Sequence, residues 1–526
     1  MRKKIAAFYI TALLGIVIIF TNLTPLHLVD SAIFAEFGAM VLAPHIVPNP
    51  APRVIPSLRE WQGSSGFFTL SSASRIAVDP SYTAQIKNTA KVFQDDLFAA
   101  TRHTLPIVTT ITPRAGDFFL TLNNLDPGIG NEGYLFQVED TVVISAHTRT
   151  GVFYGTRTAL QILLQDLTKT HIPRGIARDY PQYAERGFML DAGRKFFSIR
   201  FLEDYVKFMA WYKMNDFHIH FNDNAIGAGD GPDWMHTYAA FRLNSDRFPG
   251  LAAKDGSYTR QDIRVLEDVA RAYAVTITPE IDAPGHALAF TQYRPDLASQ
   301  NYSKEYLDLN NSDTYTFMNT IWDEFLPWFD SRQVDIGADE YPPSDAGHYR
   351  QFINTYDAYL RSKGKTARMW GSLTKMQGDI KVNTDIVIDD WNNGWANPVD
   401  MVHQGYFIIN ANDDLLYIVP KAGYYHDYLD TQMLYEQWEP YIFSLSDPGL
   451  NLQPGDSHLL GGMFSDWNDK LGDVISDADV HARVKPAMQT IGQKLWSGTT
   501  AGMSYHQFQQ LAQLIGEVPG THLPQT

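Results

Sequence analysis

The chain contains no cysteine. Disulfides, a thiolate nucleophile and cysteine-ligated zinc are therefore excluded. Positive charge is also scarce: 42 lysines and arginines stand against 59 aspartates and glutamates, a formal net charge of −17. That balance argues against nucleic acid or an anionic membrane surface as a partner, since both need basic patches. It suits a soluble protein that handles neutral or cationic ligands. Short-period repeats and low-complexity tracts are missing too.

What is present begins at the N-terminus. Met1-Arg2-Lys3-Lys4 precedes Ile5–Phe20, a run without a single charge. A basic start and an apolar stretch read as an export signal. Extension through Leu28 would make the same stretch long enough for an anchor. Residues 1–42 are thus expected to be an export signal or a membrane anchor, and the protein extracellular. Ala43–Pro56 holds five prolines and reads as an extended linker.

A length of 526 residues exceeds one ordinary core, so two domains are expected. Residues 57–175 mix strand-like pieces ("SRIAVD", "TVVISAHT") with amphipathic helical ones, a small α+β domain. From 176 to 526 the rhythm changes. Eight short apolar runs, each ending in polar or aromatic residues, alternate with helix-length segments: 186–193, 216–223, 274–282, 333–340, 367–371, 385–391, 406–411 and 461–467. Eight such units predict an α/β fold, a (β/α)₈ TIM barrel. Ser198 is the expected N-cap of a helix with Ile199, Leu202, Val206 and Met209 on its apolar face. In "DFHIHFND" the polar set His218, His220 and Asn222 should face the barrel interior.

The strand ends carry acids, indoles and an arginine. Such a barrel works at those ends. Carboxylates flanked by indoles suggest glycoside hydrolysis, in which one acid protonates the leaving oxygen and another steadies positive charge at the anomeric carbon. Asp339 and Glu340 are neighbours, and adjacent strand residues point to opposite faces. They can share a pocket only if the strand ends and the chain turns, which "YPP" after them allows. His218, His220 and Asp223 also permit a second reading, a metal-dependent amidohydrolase. A third is a barrel that binds sugar without catalysis.

Seven motifs in order, "RGFMLDAGRKFF", "YKMNDFHIHFNDN", "PEIDAPGHA", "IGADE", "MWGSL", "VIDDW" and "FSDWND", resemble glycoside hydrolase family 20, the β-N-acetylhexosaminidases. The resemblance implies a retaining exo-hydrolase that uses the substrate's own 2-acetamido group, with no metal or other cofactor. Its substrate would be an oligosaccharide or glycoconjugate ending in N-acetylhexosamine. Glu340 matches the general acid and Asp339 the carboxylate that orients the acetamido group. Arg186, Asp223, His286, Trp370, Trp391, Tyr417, Trp467 and Asp469 match substrate-binding positions. Three positions depart from the family pattern. Asp335 stands where histidine is expected, Asn224 where a second aspartate is, and Asp469 where glutamate is. The Trp467-Asn468-Asp469 form looks like the lacto-N-biosidase branch, which releases a disaccharide.

Overall fold

The computed structural model describes residues 47–470, 475–500 and 502–524. The expected export segment, 1–42, lies outside them. Among the described residues, no helix is long and apolar enough to cross a membrane.

The small domain is a seven-stranded mixed sheet. Its strands are β1 (Glu60–Thr69), β2 (Ile76–Val78), β3 (Ile107–Thr109), β4 (Phe118–Thr121), β5 (Tyr134–Val138), β6 (Val142–Ala146) and β7 (His171–Asp179), in spatial order β1-β7-β5-β6-β4-β2-β3. Helices Thr83–Thr101 and Arg149–Gln165 bury their apolar faces against it. Thr148 caps the second helix by accepting from the backbone N–H groups of Thr150 and Gly151.

Both expected borders of this domain shift. β7 pairs with β1 and β5 along its length and runs to Asp179, past the border expected at 175. The described part of the proline-rich stretch is not a free linker. Val54 and Ile55 are buried, and Ile55 exchanges hydrogen bonds with the Gln161 side-chain amide, at 2.8 Å and 2.7 Å. Its apolar side chains gain more from burial than the extended backbone gains from water.

The larger domain is the predicted barrel. Eight parallel strands close on themselves: β8 (Glu185–Asp191), β9 (Asp216–His220), β12 (Thr276–Glu280), β13 (Gln333–Asp335), β14 (Thr366–Trp370), β15 (Val387–Asp390), β16 (Phe407–Asn410) and β18 (Leu459–Asp466), with β16 pairing β18 to complete the ring. Each falls within or beside one of the eight apolar runs. A short antiparallel pair, β10 (Asn222–Asn224) and β11 (Ala239–Phe241), and the two-residue β17 (Tyr417–Ile418) rise above the ring. Helix Ile199–Trp211 is capped by Ser198, whose side chain accepts from Phe201 N–H, and it buries Leu202, Val206 and Met209.

The two domains meet at the N-terminal end of the strands. Asp179 is buried there between the Lys213 ammonium at 2.7 Å, the Tyr134 hydroxyl at 2.6 Å and the Trp496 indole N–H at 3.0 Å.

Candidate active site

The site forms where β13 stops. Its ladder ends at Asp335, and the chain then coils: Gly337, Ala338 and Glu340 adopt left-handed backbone, with φ of 71°, 70° and 50°. Ala338 and Glu340 hold this region against the usual Cβ penalty. The turn is tied down on several sides. Asp335 Oδ1 accepts from Gly337 N–H at 2.7 Å, and Asp282 Oδ1 from Ala338 N–H at 3.0 Å. The Tyr349 hydroxyl donates to the Ala338 carbonyl at 2.5 Å, and Trp370 N–H to the Gly337 carbonyl at 2.9 Å. The coil brings Asp339 and Glu340 to one cavity of about 270 Å³ at the C-terminal mouth of the barrel.

His286 links the two acids to a third. Its Nδ1 is 3.0 Å from Asp223 Oδ1; its Nε2 is 3.4 Å from Glu340 Oε2 and 3.7 Å from Asp339 Oδ2. Burial alone would neutralise the ring, but Asp223 and Asp339 hold it cationic, well above its ordinary range. Asp223 is the opposite case. Burial opposes its charge, yet Arg194, His286 and His220 keep its carboxyl well below the usual range. The neighbouring pair divides. Burial pushes Asp339 up to about 6, with Glu340 adding to the rise and His286 opposing it. The hydrogen bond from His286 holds Glu340 low, although burial opposes it. Glu340 is 49% exposed and Asp339 13%. Before a ligand arrives, the proton shared by the pair thus rests mainly on Asp339.

The expected arginine is corrected. Arg186 lies at the N-terminal end of β8, fully buried, where it forks onto Glu132 of the small domain at 2.8 Å and 2.9 Å. It does not reach the cavity. Arg194, just past the C-terminal end of the same strand, does. Its guanidinium sits 2.8 Å from Asp223, 3.1 Å from Asp191 and 3.5 Å from Asp469. Both arginines stand in "RGFMLDAGR", and the position after the strand is the signal that separates them, because loops at that end build such sites. Asp469 also accepts from the Tyr424 hydroxyl at 2.7 Å.

The apolar wall is aromatic. Trp391, Tyr417 and Trp467 line the cavity; the Trp391 and Tyr417 rings stack at 6.4 Å and Tyr417 lies 5.7 Å from Trp467. Trp370, expected beside them, lies one layer below. It is fully buried, contacts Trp467 at 5.6 Å and donates its indole N–H to Glu280 Oε1 at 2.8 Å. Tyr424 and Tyr425, on the segment after β17, complete the rim, and Tyr425 donates to Asp413 at 2.9 Å. Neither was expected from sequence, though the aromatic cluster "YYHDY" marks the segment. Asp339 Oδ1 and the Trp467 indole nitrogen are buried in this site with no hydrogen-bond partner among the described residues.

Below the cavity the barrel interior is ionic. His220 lies 2.8 Å from Asp223 and 2.7 Å from Glu280, and His218 is 2.8 Å from Glu280. Four trios of ligand-type atoms lie within 4.8 Å of one another: Asp191–His220–Asp223, His218–Glu280–Asp335, His220–Glu280–Asp282 and Asp282–His286–Asp339. They have the atoms to hold a metal. Some of these groups already pair with one another, His220 with Asp223 and Glu280 and His218 with Glu280, whereas Asp282 Oδ2, Asp335 Oδ2 and Asp339 Oδ1 have no hydrogen-bond partner among the described residues.

Comparison with known proteins adds the following. Residues 183–348 match the family model "Glycosyl hydrolase family 20, catalytic domain", and residues 51–180 match "Glycosyl hydrolase family 20, domain 2". The chain is 26% identical over 497 residues to the lacto-N-biosidase of Bifidobacterium bifidum, covering 88% of this chain and 41% of that protein. It therefore spans less than half of that relative's length. It is 27% identical over 411 residues to β-hexosaminidase subunit A2 of Dictyostelium discoideum, covering 71% of this chain and 70% of that one. Among solved structures, the β-N-acetylhexosaminidase of Streptomyces coelicolor shares the fold with a TM-score of 0.74 at 21% identity, over 91% of this chain and all of that one. The chain belongs to glycoside hydrolase family 20.

Proposed function

We propose that this protein is a retaining exo-β-N-acetylhexosaminidase that works through the substrate's own acetamido group. The observation that carries the reading is the unpartnered Asp339 Oδ1, buried beside the Trp391–Tyr417–Trp467 wall and next to an acid held by His286. An acetamido group on the terminal sugar supplies what this pocket lacks, an N–H donor for Asp339 and apolar surface for the rings.

Glu340 protonates the glycosidic oxygen as its bond to C1 breaks. The acetamido carbonyl oxygen attacks C1 from the other face and forms an oxazolinium ion. Asp339 accepts the acetamido N–H and balances the positive charge. Glu340 then takes a proton from water as the water attacks C1, and the ring opens with retention. The proton must therefore sit on Glu340 when substrate is bound. Two changes move it there. The sugar covers the half-exposed Glu340, which favours its neutral form, and the acetamido N–H stabilises the Asp339 carboxylate. Arg194 and Asp469 are the polar groups left for the sugar's outer hydroxyls.

Glu340→Gln tests the acid. It should lower kcat on an aryl N-acetyl-β-glucosaminide by about 10²–10⁴-fold while N-acetylglucosamine still binds. Undiminished turnover would remove Glu340 from the role.

A second reading, disaccharide release, is favoured by Asp469, which is shorter than the expected glutamate and tied to Tyr424. The similarity to a lacto-N-biosidase supports it further. An assay on aryl-GlcNAc, aryl-GalNAc and aryl-lacto-N-bioside separates the two, since intact disaccharide appears only under the second. Export remains part of the proposal and rests on the basic-then-apolar sequence of residues 1–20. N-terminal sequencing of secreted material would separate cleavage from anchoring.

A further inference from the structure

Asp335 is one of the buried acids that the proposed reaction leaves unused. Strand register determines where it points. Glu280 pairs with His220 on one side and Asp335 on the other, and Asp335 pairs with Arg368. Adjacent strands thus set His220, Glu280, Asp335 and Arg368 side by side, all buried in the barrel. Asp335 Oδ1 takes the Gly337 N–H. Its Oδ2 is buried and has no hydrogen-bond partner among the described residues. Arg368 Nε stands 3.8 Å away, but that guanidinium is committed to Asp389 at 2.7 Å and Asp216 at 2.6 Å. An ionised Asp335 would face Glu280 and Asp389 with little compensation. Burial and those two carboxylates accordingly push its carboxyl well above the ordinary range. Only one of its two carboxyl oxygens is in use as an acceptor.

That acceptor lies at the root of the catalytic turn. Gly337 and Ala338 present consecutive N–H groups to the buried interior, and Asp335 and Asp282 each accept one. Remove the Asp335 oxygen and the Gly337 N–H loses its partner in a dry site. The left-handed turn then loses one of the bonds that hold it against relaxation.

We propose that Asp335 is a positioning residue: by anchoring the Gly337 amide it holds the left-handed turn that aims Asp339 and Glu340 into the cavity. The inference rests on the hydrolase reading above. Its test compares Asp335→Asn, which keeps an uncharged acceptor oxygen, with Asp335→Ala, which has none. The readouts are kcat and KM on an aryl N-acetyl-β-glucosaminide, the pH profile, N-acetylglucosamine binding, and hydrogen exchange of the 336–341 segment.

Asp335→Asn should stay within about threefold of the parent in kcat with the same pH profile, and Asp335→Ala should lose about 10- to 100-fold in kcat with KM little changed and faster exchange in the turn. Parent-like kcat in Asp335→Ala would overturn the inference, as would an equal loss in Asp335→Asn. If Asp335→Ala does not fold, Asp335→Val takes its place with the same expectations. A parent protein inactive on this monosaccharide glycoside counts against the exo-β-N-acetylhexosaminidase reading alone. Hydrogen exchange of the turn then still decides whether Asp335 anchors it.

Discussion

At the scale of single residues, His286 is the cation that links three acids, Asp223, Asp339 and Glu340. His286 lowers both Asp339 and Glu340. The productive form carries one proton on that pair, so kcat/KM follows the singly protonated state. The last proton leaves at about 6 in the free protein, the value to which Asp339 is raised. kcat/KM is therefore expected to fall as pH rises through about 6. His286→Gln removes the positive charge, and both carboxyls move up. Its alkaline limb should shift to higher pH, on top of a lower rate. A pH–rate profile of both proteins checks this; an unmoved or acid-shifted limb would contradict the assignment. Arg186 and Arg194 teach a related point. They are chemically identical and eight positions apart in chain number, yet one binds Glu132 beneath the barrel and the other faces the cavity.

At the scale of elements the deciding feature is the short β13. "VDIGADE" has the apolar start of a strand, and its last two acids required a turn. The ladder is shorter than the apolar run because Gly337 and Ala338 leave the extended region. Gly337 cannot be replaced without cost. Its φ of 71° disfavours any Cβ, and a Cβ there would lie 1.7 Å from Asp282 Oδ1. Gly337→Ala should lower stability by about 1–3 kcal/mol. It should also reduce kcat more than it weakens sugar binding, since the clash displaces the acids and not the aromatic wall. Denaturant unfolding and steady-state kinetics measure the two effects. A variant with parent stability and kcat would show that the turn tolerates the methyl.

At the scale of the molecule the small domain is part of the barrel's floor. Arg186 is fully buried and its charge is met by Glu132 across the domain junction. Glu132→Ala leaves that guanidinium with backbone carbonyls and the Tyr154 hydroxyl, and without the carboxylate it forks onto. The loss should be about 3 kcal/mol, read as a lower unfolding midpoint. The kcat of the folded protein should hardly change, because the junction lies at the opposite end of the barrel from the cavity. A large fall in kcat at unchanged stability would mean that the small domain acts on the site directly.

Pattern and order were legible in the chain itself. Eight apolar runs with polar ends specify eight strands and their order, because side-chain burial obeys local periodicity. The acid pair, His286, Asp223 and two of the three expected indoles follow from lying at those ends. Other features depend on contacts between residues far apart in the chain. Which arginine reaches the mouth depends on strand length, and whether an indole lines the wall or lies under it depends on how layers stack inside a closed ring. The role of Asp335 depends on register, which sets it between Glu280 and Arg368. Protonation is likewise tertiary, since desolvation and opposing charges come from other strands. Residue types and their order determined the chemistry available to this protein; only the packed barrel decided which groups meet, and in which charge state.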